Sequence, residues 1–327
     1  MITGNLSPPR ALLGGNLFGY SCDAAATEKV LDTAEEFELR AIDTADVYTD
    51  GNSERFIGSW LRHSAKREDW FIATKTGTRS RIDAEGLGTY AAMRSRLEAS
   101  IERLDCDYVD LLQLHHQDSS TPITETAEGA RRLKDAGLIR SFGVSNVSAD
   151  VLQTYSVSDV IDQIDYVQVY GNWLKPNELK RLVQSRCADF PRILVYGVLG
   201  RGVLTGKYLP STSLDSEVLE ERASLSAAVK YDSEDEDLKR LLSSVAGIAR
   251  HYDVSLTEIA IRYIVANGGI PIVGCRTPKQ VRALADAMTQ VDDLWLNDID
   301  SESLRFRTTH GQVSASLGEP FPKRSAK

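Results

Sequence analysis

The chain of 327 residues has no long apolar run, no paired-cysteine motif and no excess of positive charge. A membrane-spanning helix needs about 20 consecutive apolar residues, and neither residues 1–10 nor any later segment approaches that length. The 38 Lys and Arg against 47 Asp and Glu give a net charge of −9. This balance argues against a nucleic-acid backbone or an anionic membrane as the main partner. We therefore expect a cytoplasmic protein with neither partner.

The four cysteines, Cys22, Cys106, Cys187 and Cys275, are scattered along the chain and form no C-x-x-C pair. This spacing indicates neither a disulfide framework nor a zinc knuckle, so reduced thiols are expected. Hydrophobic residues make up 42% of the chain and charged residues 26%, as in ordinary globular proteins. The composition excludes wholesale disorder and leaves enough apolar surface for a large core.

Short runs with strand character alternate with amphipathic helical stretches along the chain. Most runs recur after about thirty residues, the span of one βαβ unit, and eight such units close a parallel barrel. An open doubly wound sheet would need a G-x-G-x-x-G fingerprint after the first strand, which Gly14 and Gly15 do not provide. The runs cover residues 11–15, 41–45, 70–75, 108–115, 141–146, 166–172, 192–198 and 270–274. The sequence thus predicts an α/β fold, a single-domain (β/α)8 TIM barrel over residues 1–296. Residues 297–327 are expected to form a partly disordered tail.

Four side chains that could take part in catalysis lie at or near the ends of consecutive predicted strands. Asp43 lies in the second strand, Lys75 ends the third and His115 ends the fourth, while Tyr48 follows on the loop after Asp43. In such a barrel, the C-terminal ends of the strands face the active site. We therefore expect these four residues to converge on one mouth.

An acid, an ammonium, a phenol and an imidazole together suggest a proton-donating device. A phenol with a pKa of about 10 is a poor acid at neutral pH, but a neighbouring ammonium is expected to lower that pKa. Asp43 would keep Lys75 charged, and His115 would position a substrate oxygen. Such a site protonates a carbonyl oxygen through Tyr48 while a hydride arrives at the carbon.

Each of these side chains also has an ordinary structural interpretation, such as a turn brace for Asp43 or a rim salt bridge for Lys75. Their placement on adjacent units favours the joint functional interpretation. A metal site built from His115, His116, Asp118 and Asp43 is the competing hypothesis. Neighbouring residues of a strand face opposite sides, so His115 and His116 are not expected to bind one ion together, and no metal is predicted.

Two further segments indicate a ligand that carries phosphate. After the eighth run, Thr277 suits an N-cap, Pro278 suits the first helical position and Gln280 completes a capping box, so a helix is expected to begin there. Its free N–H groups and Arg276 would bind an anion, although an ordinary capped helix with a solvated arginine is equally compatible. Residues 197–207 are glycine-rich without a complete P-loop pattern, and they are expected to approach a diphosphate through their backbone.

The chain resembles the aldo-keto reductase superfamily over residues 12–287. The resemblance implies a (β/α)8 barrel that uses a nicotinamide cofactor, with Asp43, Tyr48, Lys75 and His115 as the catalytic tetrad and Tyr48 as general acid. The matching segments are Ile42-Asp43-Thr44-Ala45 with Tyr48, Gly51-Asn52-Ser53-Glu54, Lys75, Asp110-Leu111-Leu112-Gln113-Leu114-His115 and Gly143-Val144-Ser145-Asn146.

The same resemblance implies a set of cofactor contacts. Ser145, Asn146 and Gln168 would hold the carboxamide of the nicotinamide, and the ring of Tyr196 would stack on it. The segment 199–207 is similar to the loop that covers the pyrophosphate in this superfamily. The remaining predicted contacts are Gly197, Leu199, Arg201, Gly202, Lys207, Gly274, Arg276 and Gln280.

The departures from the superfamily pattern concern the cofactor and the substrate pocket. Gly197 stands where relatives often have serine, and Gly274 and Gln280 replace basic residues near the adenosine end. Arg276 supplies a positive charge for a 2′-phosphate, so NADPH is preferred over NADH, which is not excluded. His116 replaces a common tryptophan, which suggests a polar pocket and favours a hydroxylated substrate.

The sequence therefore predicts an NADP(H)-dependent reductase acting on an aldehyde, ketone or sugar carbonyl. Three alternatives remain open: a sugar (aldose) dehydrogenase working in the oxidative direction, a cofactor-sensing binding subunit like those of some potassium channels, and a metal-dependent hydrolase. No heptad repeat or apolar patch indicates an oligomeric state, and no segment identifies the substrate.

Overall fold

A computed structural model describes residues 8–64, 67–77, 86–157, 160–174, 176–184, 191–206, 209, 236–289 and 293–310. In these residues eight parallel strands form a closed barrel in the order of the sequence, with the last strand paired to the first. The predicted single-domain (β/α)8 barrel is confirmed. The strands are β1 (Leu12–Gly14), β2 (Ala41–Asp43), β3 (Phe71–Thr76), β4 (Val109–Leu114), β5 (Ile139–Ser145), β6 (Tyr166–Tyr170), β7 (Arg192–Tyr196) and β8 (Ile270–Val273).

Helices follow the strands and cover the barrel. Several begin at residues whose side chains accept backbone N–H groups: Asp23 accepts from Ala26, and Ser255 forms a capping box with Glu258. Among the described residues, no helix is both long and apolar enough to span a bilayer. The helices are α1 (Ala24–Glu36), α2 (Asn52–Ser64), α3 (Tyr90–Leu104), α4 (Ile123–Asp135), α5 (Ala149–Val157), α6 (Asn177–Gln184), α7 (Glu236–His251), α8 (Leu256–Ala266), α9 (Pro278–Thr289) and α10 (Leu296–His310).

The inside of the barrel has an apolar lower part and a polar upper part. A small buried cluster fills the lower part, and it includes Leu12, Ala73, Leu111, Leu194 and Ile272. Because side chains alternate along a strand, the residues two positions beyond Ala41, Ala73, Leu111 and Tyr166 face the same interior nearer the C-terminal end. These residues are Asp43, Lys75, Gln113 and Gln168, and all four are buried.

Helix α2 is anchored to its neighbours by the buried carboxylate of Glu54. Thr74 Oγ1 donates to Glu54 Oε1 at 2.6 Å, and Arg103 Nε donates to Glu54 Oε2 at 2.6 Å. Ser53 Oγ donates to the carbonyl of Gly15 at 2.8 Å. The Gly-Asn-Ser-Glu motif therefore fixes the helix that follows the Tyr48 loop against the strands that end near Tyr48.

The C-terminal segment differs from the expected tail. Residues 296–310 form helix α10, in which Ile299 is buried and Ser303 Oγ donates to the Trp173 carbonyl at 2.6 Å. The apolar residues Trp295 and Ile299 are therefore part of the core, and residues 297–310 of the predicted tail belong to a helix. Residues 311–327 of the predicted tail lie outside the described residues.

Replacing Gly58 with alanine is expected to lower the free energy of unfolding by about 1–3 kcal/mol, because overpacking forces neighbouring backbone apart. A Cβ at Gly58 would lie 2.5 Å from the carbonyl oxygen of Arg103 and 2.6 Å from the carbonyl carbon of Leu104. Gly247→Ala is the matched control, since its Cβ would meet nothing closer than 3.9 Å. The control should raise that free energy by about 0.5–1 kcal/mol. Urea unfolding measures both variants, and an unchanged Gly58→Ala would contradict the close packing of α2 on α3.

Candidate active site

Three of the four predicted catalytic side chains form one hydrogen-bonded chain at the C-terminal end of the barrel. Lys75 Nζ donates to Asp43 Oδ2 at 2.6 Å and to Tyr48 OH at 3.3 Å. It also donates to the carbonyl of Thr44 at 2.8 Å. The side chains of Lys75 and Asp43 are 0% and 4% exposed. The ammonium is thus held in a fixed position between a carboxylate and the phenol.

The pKa of Tyr48 differs from the sequence-based expectation. Burial raises the pKa of the Tyr48 phenol, and the positive charge of Lys75 offsets this increase only in part. Asp43 adds to the increase because its negative charge disfavours a phenolate. The prediction that the pKa of Tyr48 is lowered is therefore wrong: Lys75 does lower it, but the net shift is upward. Tyr48 is therefore a neutral phenol at neutral pH.

The ammonium form of Lys75 is stable in this site. Burial alone would lower the pKa of Lys75, but the charge of Asp43 and the contact with Tyr48 outweigh it and raise the pKa. Lys75 thus stays charged at neutral pH, as the sequence predicts.

His115 lies just beyond β4, where its ring meets the edge of the Tyr48 ring at a centroid distance of 5.7 Å and an angle of 79°. The His116 ring stacks on it at 5.3 Å and 5°. The expectation that the two rings point to opposite sides is wrong, because β4 ends at Leu114 and strand alternation stops there. Asp118 instead accepts hydrogen bonds from Ser120, Thr121 and Gly88. Within the described residues, no three His, Cys, Asp or Glu side chains are grouped to hold a metal ion.

Two amide side chains hold the second carboxylate oxygen of Asp43. Gln168 Nε2 donates to Asp43 Oδ1 at 2.7 Å, and Gln113 Nε2 donates to the same oxygen at 3.1 Å. Gln168 Nε2 also donates to Gln113 Oε1 at 3.3 Å. Gln113 is absent from the predicted site residues, although its place two positions before His115 directs it into the barrel. Gln168, predicted as a nicotinamide contact, is also a direct partner of Asp43.

Three of the predicted nicotinamide contacts meet beside His115. Asn146 Nδ2 donates to the His115 carbonyl at 2.8 Å and to Ser145 Oγ at 3.2 Å. Tyr196 OH donates to Asn146 Oδ1 at 2.6 Å. The backbone of Asn146 has a φ of 60°, a left-handed conformation that asparagine adopts more readily than most residues. Asn146 thus connects Ser145 to Tyr196, a link that the sequence does not reveal.

Gly197 is required by its neighbour Tyr170. Gly197 has a φ of 75°, and a Cβ on it would overlap the Tyr170 ring. The Tyr170 ring meets the Tyr196 ring edge-on at 5.6 Å. Asn172 Nδ2 donates to Tyr170 OH at 2.9 Å and to the Gly197 carbonyl at 3.0 Å. Tyr170 therefore supports the ring that is predicted to stack on the nicotinamide.

The loop after β7 contains further predicted cofactor contacts. Gly202 N donates to the Leu199 carbonyl at 2.8 Å, so this part of the loop closes on itself and its N–H is not directed at a diphosphate. Arg201 is half-buried with a left-handed φ of 56°, and burial lowers the pKa of its guanidinium. The rings of Tyr170 and Tyr196 lie near it. Lys207 lies outside the described residues.

At the predicted anion site after β8, the helix begins at the expected residue, but the hydrogen bonds that cap it differ from the prediction. Helix α9 begins at Pro278, and Gln280 N donates to Thr277 Oγ1 at 3.4 Å. Gln280 Oε1 accepts from Arg276 N at 2.7 Å rather than from Thr277 N, so the predicted capping box is shifted by one residue. Arg276 and Gly274 are half-buried. Gln280 thus braces the backbone of Arg276.

A second ion pair joins the Tyr48 loop to the end of β3. Arg96 Nη1 donates to Asp46 Oδ2 at 2.9 Å and to the Gly77 carbonyl at 3.2 Å. Gly77 N lies 3.4 Å from Asp46 Oδ2, while Asp46 Oδ1 is buried and has no hydrogen-bond partner among the described residues. Burial therefore raises the pKa of Asp46 although Arg96 opposes the increase.

A closed (β/α)8 barrel with Asp, Lys, Tyr and His side chains gathered at its C-terminal mouth is the arrangement expected of a barrel of the aldo-keto reductase type. The model of the Aldo/keto reductase family matches residues 12–302, and the chain belongs to this family. Members of the family generally reduce carbonyl groups with NAD(P)H.

The chain is similar to aldo-keto reductase YhdN of Bacillus subtilis, with 30% identity over 84% of this chain and 82% of the relative. It is 28% identical to a probable voltage-gated potassium channel subunit beta of Arabidopsis thaliana, over 81% of this chain and 82% of that protein. Among solved structures, aldo-keto reductase AKR11C1 of Bacillus halodurans in its holo form matches with a TM-score of 0.70 and 25% identity, covering 93% of this chain and 94% of that one.

The Asp46→Asn variant is expected to gain stability relative to wild type as pH rises. The pKa of Asp46 is higher in the folded state than its value of about 3.9 in the unfolded state. Its contribution to the free energy of unfolding is therefore complete below the unfolded-state pKa and is lost as pH rises through the folded-state pKa. The neutral amide avoids that loss. The melting temperature of the variant minus that of wild type should therefore be larger at pH 7.5 than at pH 4.

Asp105→Asn is the control with the opposite sign. The hydrogen bond from Arg62 lowers the pKa of the exposed Asp105, so its stabilising contribution is present at neutral pH and lost towards acid. This variant should therefore lose stability relative to wild type as pH rises from 4 to 7.5. Parallel pH dependences of the two variants would show that the burial of Asp46 has no such effect.

Proposed function

We propose that the protein is an NAD(P)H-dependent oxidoreductase that transfers a hydride between nicotinamide C4 and an aldehyde, ketone or sugar carbonyl. Tyr48 serves as the general acid in reduction and as the general base in oxidation. The observation that carries this proposal is the buried Lys75 ammonium, bonded to Asp43 on one side and to the Tyr48 hydroxyl on the other. Proton transfer to a carbonyl oxygen needs such a positioned donor.

The chemistry of the side chains fits a nicotinamide dinucleotide. Tyr196 offers a flat ring at the mouth, and the carbonyl oxygen of Gln168 is available as an acceptor for a carboxamide N–H. Arg201 is a partly buried cation whose lowered pKa reflects desolvation, and an anionic phosphate would compensate that cost. Arg276 supplies a second cation after β8, the strand that pairs with β7.

The nicotinamide supplies a hydride to the carbonyl carbon when it is bound. Tyr48 donates its proton to the carbonyl oxygen, and the adjacent Lys75 ammonium stabilises the phenolate that remains. Asp43 keeps Lys75 charged and directed at Tyr48. His115, whose ring meets the Tyr48 ring, orients the substrate oxygen. His116, stacked on His115, makes the mouth polar and supports a hydroxylated substrate such as a sugar.

NADPH is the preferred cofactor in this proposal, with NADH as a weaker alternative. Arg276 lies at the start of α9, where its backbone is held by Gln280, and a guanidinium there suits a 2′-phosphate. The helix start adds a favourable dipole for the same anion.

A second candidate is a cofactor-sensing binding subunit, which the similarity to the potassium channel subunit beta favours. Such a subunit would bind the dinucleotide without needing rapid turnover. The complete Asp43, Tyr48, Lys75 and His115 set supports the enzymatic proposal, because binding alone does not require a proton donor. An oxidative sugar dehydrogenase uses the same site, since the cofactor ratio decides the direction.

The Tyr48→Phe variant tests the proton-donor role. Loss of a general acid typically costs 10²- to 10⁴-fold in turnover, so kcat should fall by roughly that factor while the cofactor Kd stays within a few-fold. The readouts are NADPH oxidation across a panel of aldehydes, ketones and sugars, and a cofactor titration by tryptophan fluorescence. Tyr252→Phe, which removes an exposed hydroxyl bonded to Asp298, is the matched control and should keep full turnover. Wild-type turnover in Tyr48→Phe would refute the role, and tight binding without turnover by wild type would favour the sensing subunit.

The Arg276→Met variant tests the cofactor preference. A hydrogen-bonded contact to a charged group contributes about 1.5–3 kcal/mol, so NADPH should bind roughly ten- to hundredfold more weakly to the variant. The Kd of NADH should remain nearly constant, because NADH has no 2′-phosphate. Arg282→Met, an exposed arginine on the same helix, controls for a general charge effect. Equal weakening of NADPH and NADH would contradict the assignment of Arg276 to the 2′-phosphate.

A further inference from the structure

Gln113 is a fully buried polar residue that donates to Asp43 but has no assigned part in cofactor recognition. It lies on β4 in register with Lys75 on β3 and with Gly143 on β5. A Cβ at Gly143 would lie 3.2 Å from Gln113 Cγ and 2.8 Å from the Tyr166 carbonyl, so glycine leaves room for the Gln113 side chain. The barrel thus accommodates a long polar side chain where apolar packing would cost less.

The hydrogen bonds of Gln113 determine which end of the neighbouring Gln168 amide, Nε2 or Oε1, points towards Asp43. Gln113 Nε2 donates to Asp43 Oδ1, and Gln113 Oε1 accepts from Gln168 Nε2. Asp43 Oδ1 and Gln113 Oε1 are both acceptors, so Gln168 must present its N–H groups to them. Gln168 Nε2 donates to Asp43 Oδ1 at 2.7 Å. The reversed amide of Gln168 would place its oxygen against a carboxylate and a second carbonyl, which is repulsive. No hydrogen bond to Gln168 Oε1 is found among the described residues, so this atom is left as an acceptor.

We propose that Gln113 is a positioning residue that couples the Asp43–Lys75 pair to the recognition of the nicotinamide carboxamide. It fixes the Gln168 amide with Nε2 towards Asp43 and Oε1 towards the carboxamide N–H. The inference rests on the proposed function, since it assumes that a nicotinamide occupies the mouth. Asp43, Gln113 and Gln168 form a triangle of hydrogen bonds. Asp43 Oδ2 holds the Lys75 ammonium, and Asp43 Oδ1 sets the orientation of the Gln168 amide.

The Gln113→Leu variant removes both the donor and the acceptor in a side chain of similar size. Hydrogen bonds to a charged group contribute about 1.5–3 kcal/mol, so the Kd of NADPH should rise roughly tenfold or more when the Gln168 amide is released. The Kd is measured by fluorescence titration, which requires no substrate. At saturating NADPH, kcat should fall by a smaller factor, because Tyr48 and Lys75 are unchanged. Leu111→Met, on the same strand and facing the same interior, is the matched packing control and should bind NADPH like wild type.

The Gln113→Glu variant separates positioning from simple packing. When protonated, the introduced carboxyl group can donate to Asp43 as the amide does, whereas the ionised form repels Asp43 and no longer donates. The Kd of NADPH for this variant should therefore approach that of wild type at pH 5 and weaken steadily towards pH 8, a dependence that wild type lacks. This variant also tests the proposal if Gln113→Leu fails to fold.

Two results would overturn the proposal: a folded Gln113→Leu whose NADPH Kd lies within twofold of wild type, or a Gln113→Glu whose Kd has the same pH dependence as wild type. Either outcome, with an active wild type and an inactive Tyr48→Phe, refutes the role of Gln113 and leaves the proposed function intact. A wild type that binds neither NADPH nor NADH refutes the proposed function itself.

Discussion

The ion pair between Lys75 and Asp43 is the constraint on which the rest of the barrel mouth depends. Both side chains are almost fully removed from solvent, and the desolvation of two ions costs several kcal/mol per ion unless their other hydrogen-bonding groups are satisfied. The structure satisfies them: Lys75 reaches a carbonyl and the Tyr48 hydroxyl, and Asp43 accepts two amide N–H groups on its second oxygen. A buried pair with one partner deleted would leave an uncompensated charge, so the pair and its amide partners act as a unit.

The division of the barrel interior into an apolar lower part and a polar upper part is consistent with the position of this ion pair. An apolar cluster fills the lower interior, and the buried polar side chains lie in the layer above it, towards the mouth. The loops around the mouth are then held by separate anchors, with Glu54 fixing α2 and Arg96 joining the Asp46 loop to the end of β3. Such anchors limit how far the Tyr48 hydroxyl can move from Lys75, and the proposed stabilisation of a phenolate by Lys75 depends on that distance.

The sequence predicts those features that depend on periodicity and on strand ends. All eight strands, the start of α9 at Pro278 and the meeting of Asp43, Tyr48 and Lys75 follow from patterns of this kind. Features that depend on burial or on loop geometry do not follow. The stacking of His116 on His115 arises because β4 ends one residue earlier than alternation assumes, and the helix over residues 296–310 depends on the packing of Trp295 and Ile299. Gln113 is visible in the sequence, but its role requires the distances across the barrel.

The direction of the Tyr48 pKa shows how burial and charge compete in this site. Lys75 alone would favour the phenolate, yet Asp43 is bonded to the same ammonium and contributes the opposite sign, so Tyr48 is exposed to a dipole rather than to a full positive charge. Desolvation then decides the outcome in favour of the neutral phenol. A neutral phenol is the form that can donate to a carbonyl oxygen, and the nearby ammonium contributes most when negative charge develops on the phenol oxygen during transfer. In the proposed reaction, the ion pair thus stabilises the transferring state more than the resting state, which is what catalysis in either direction requires.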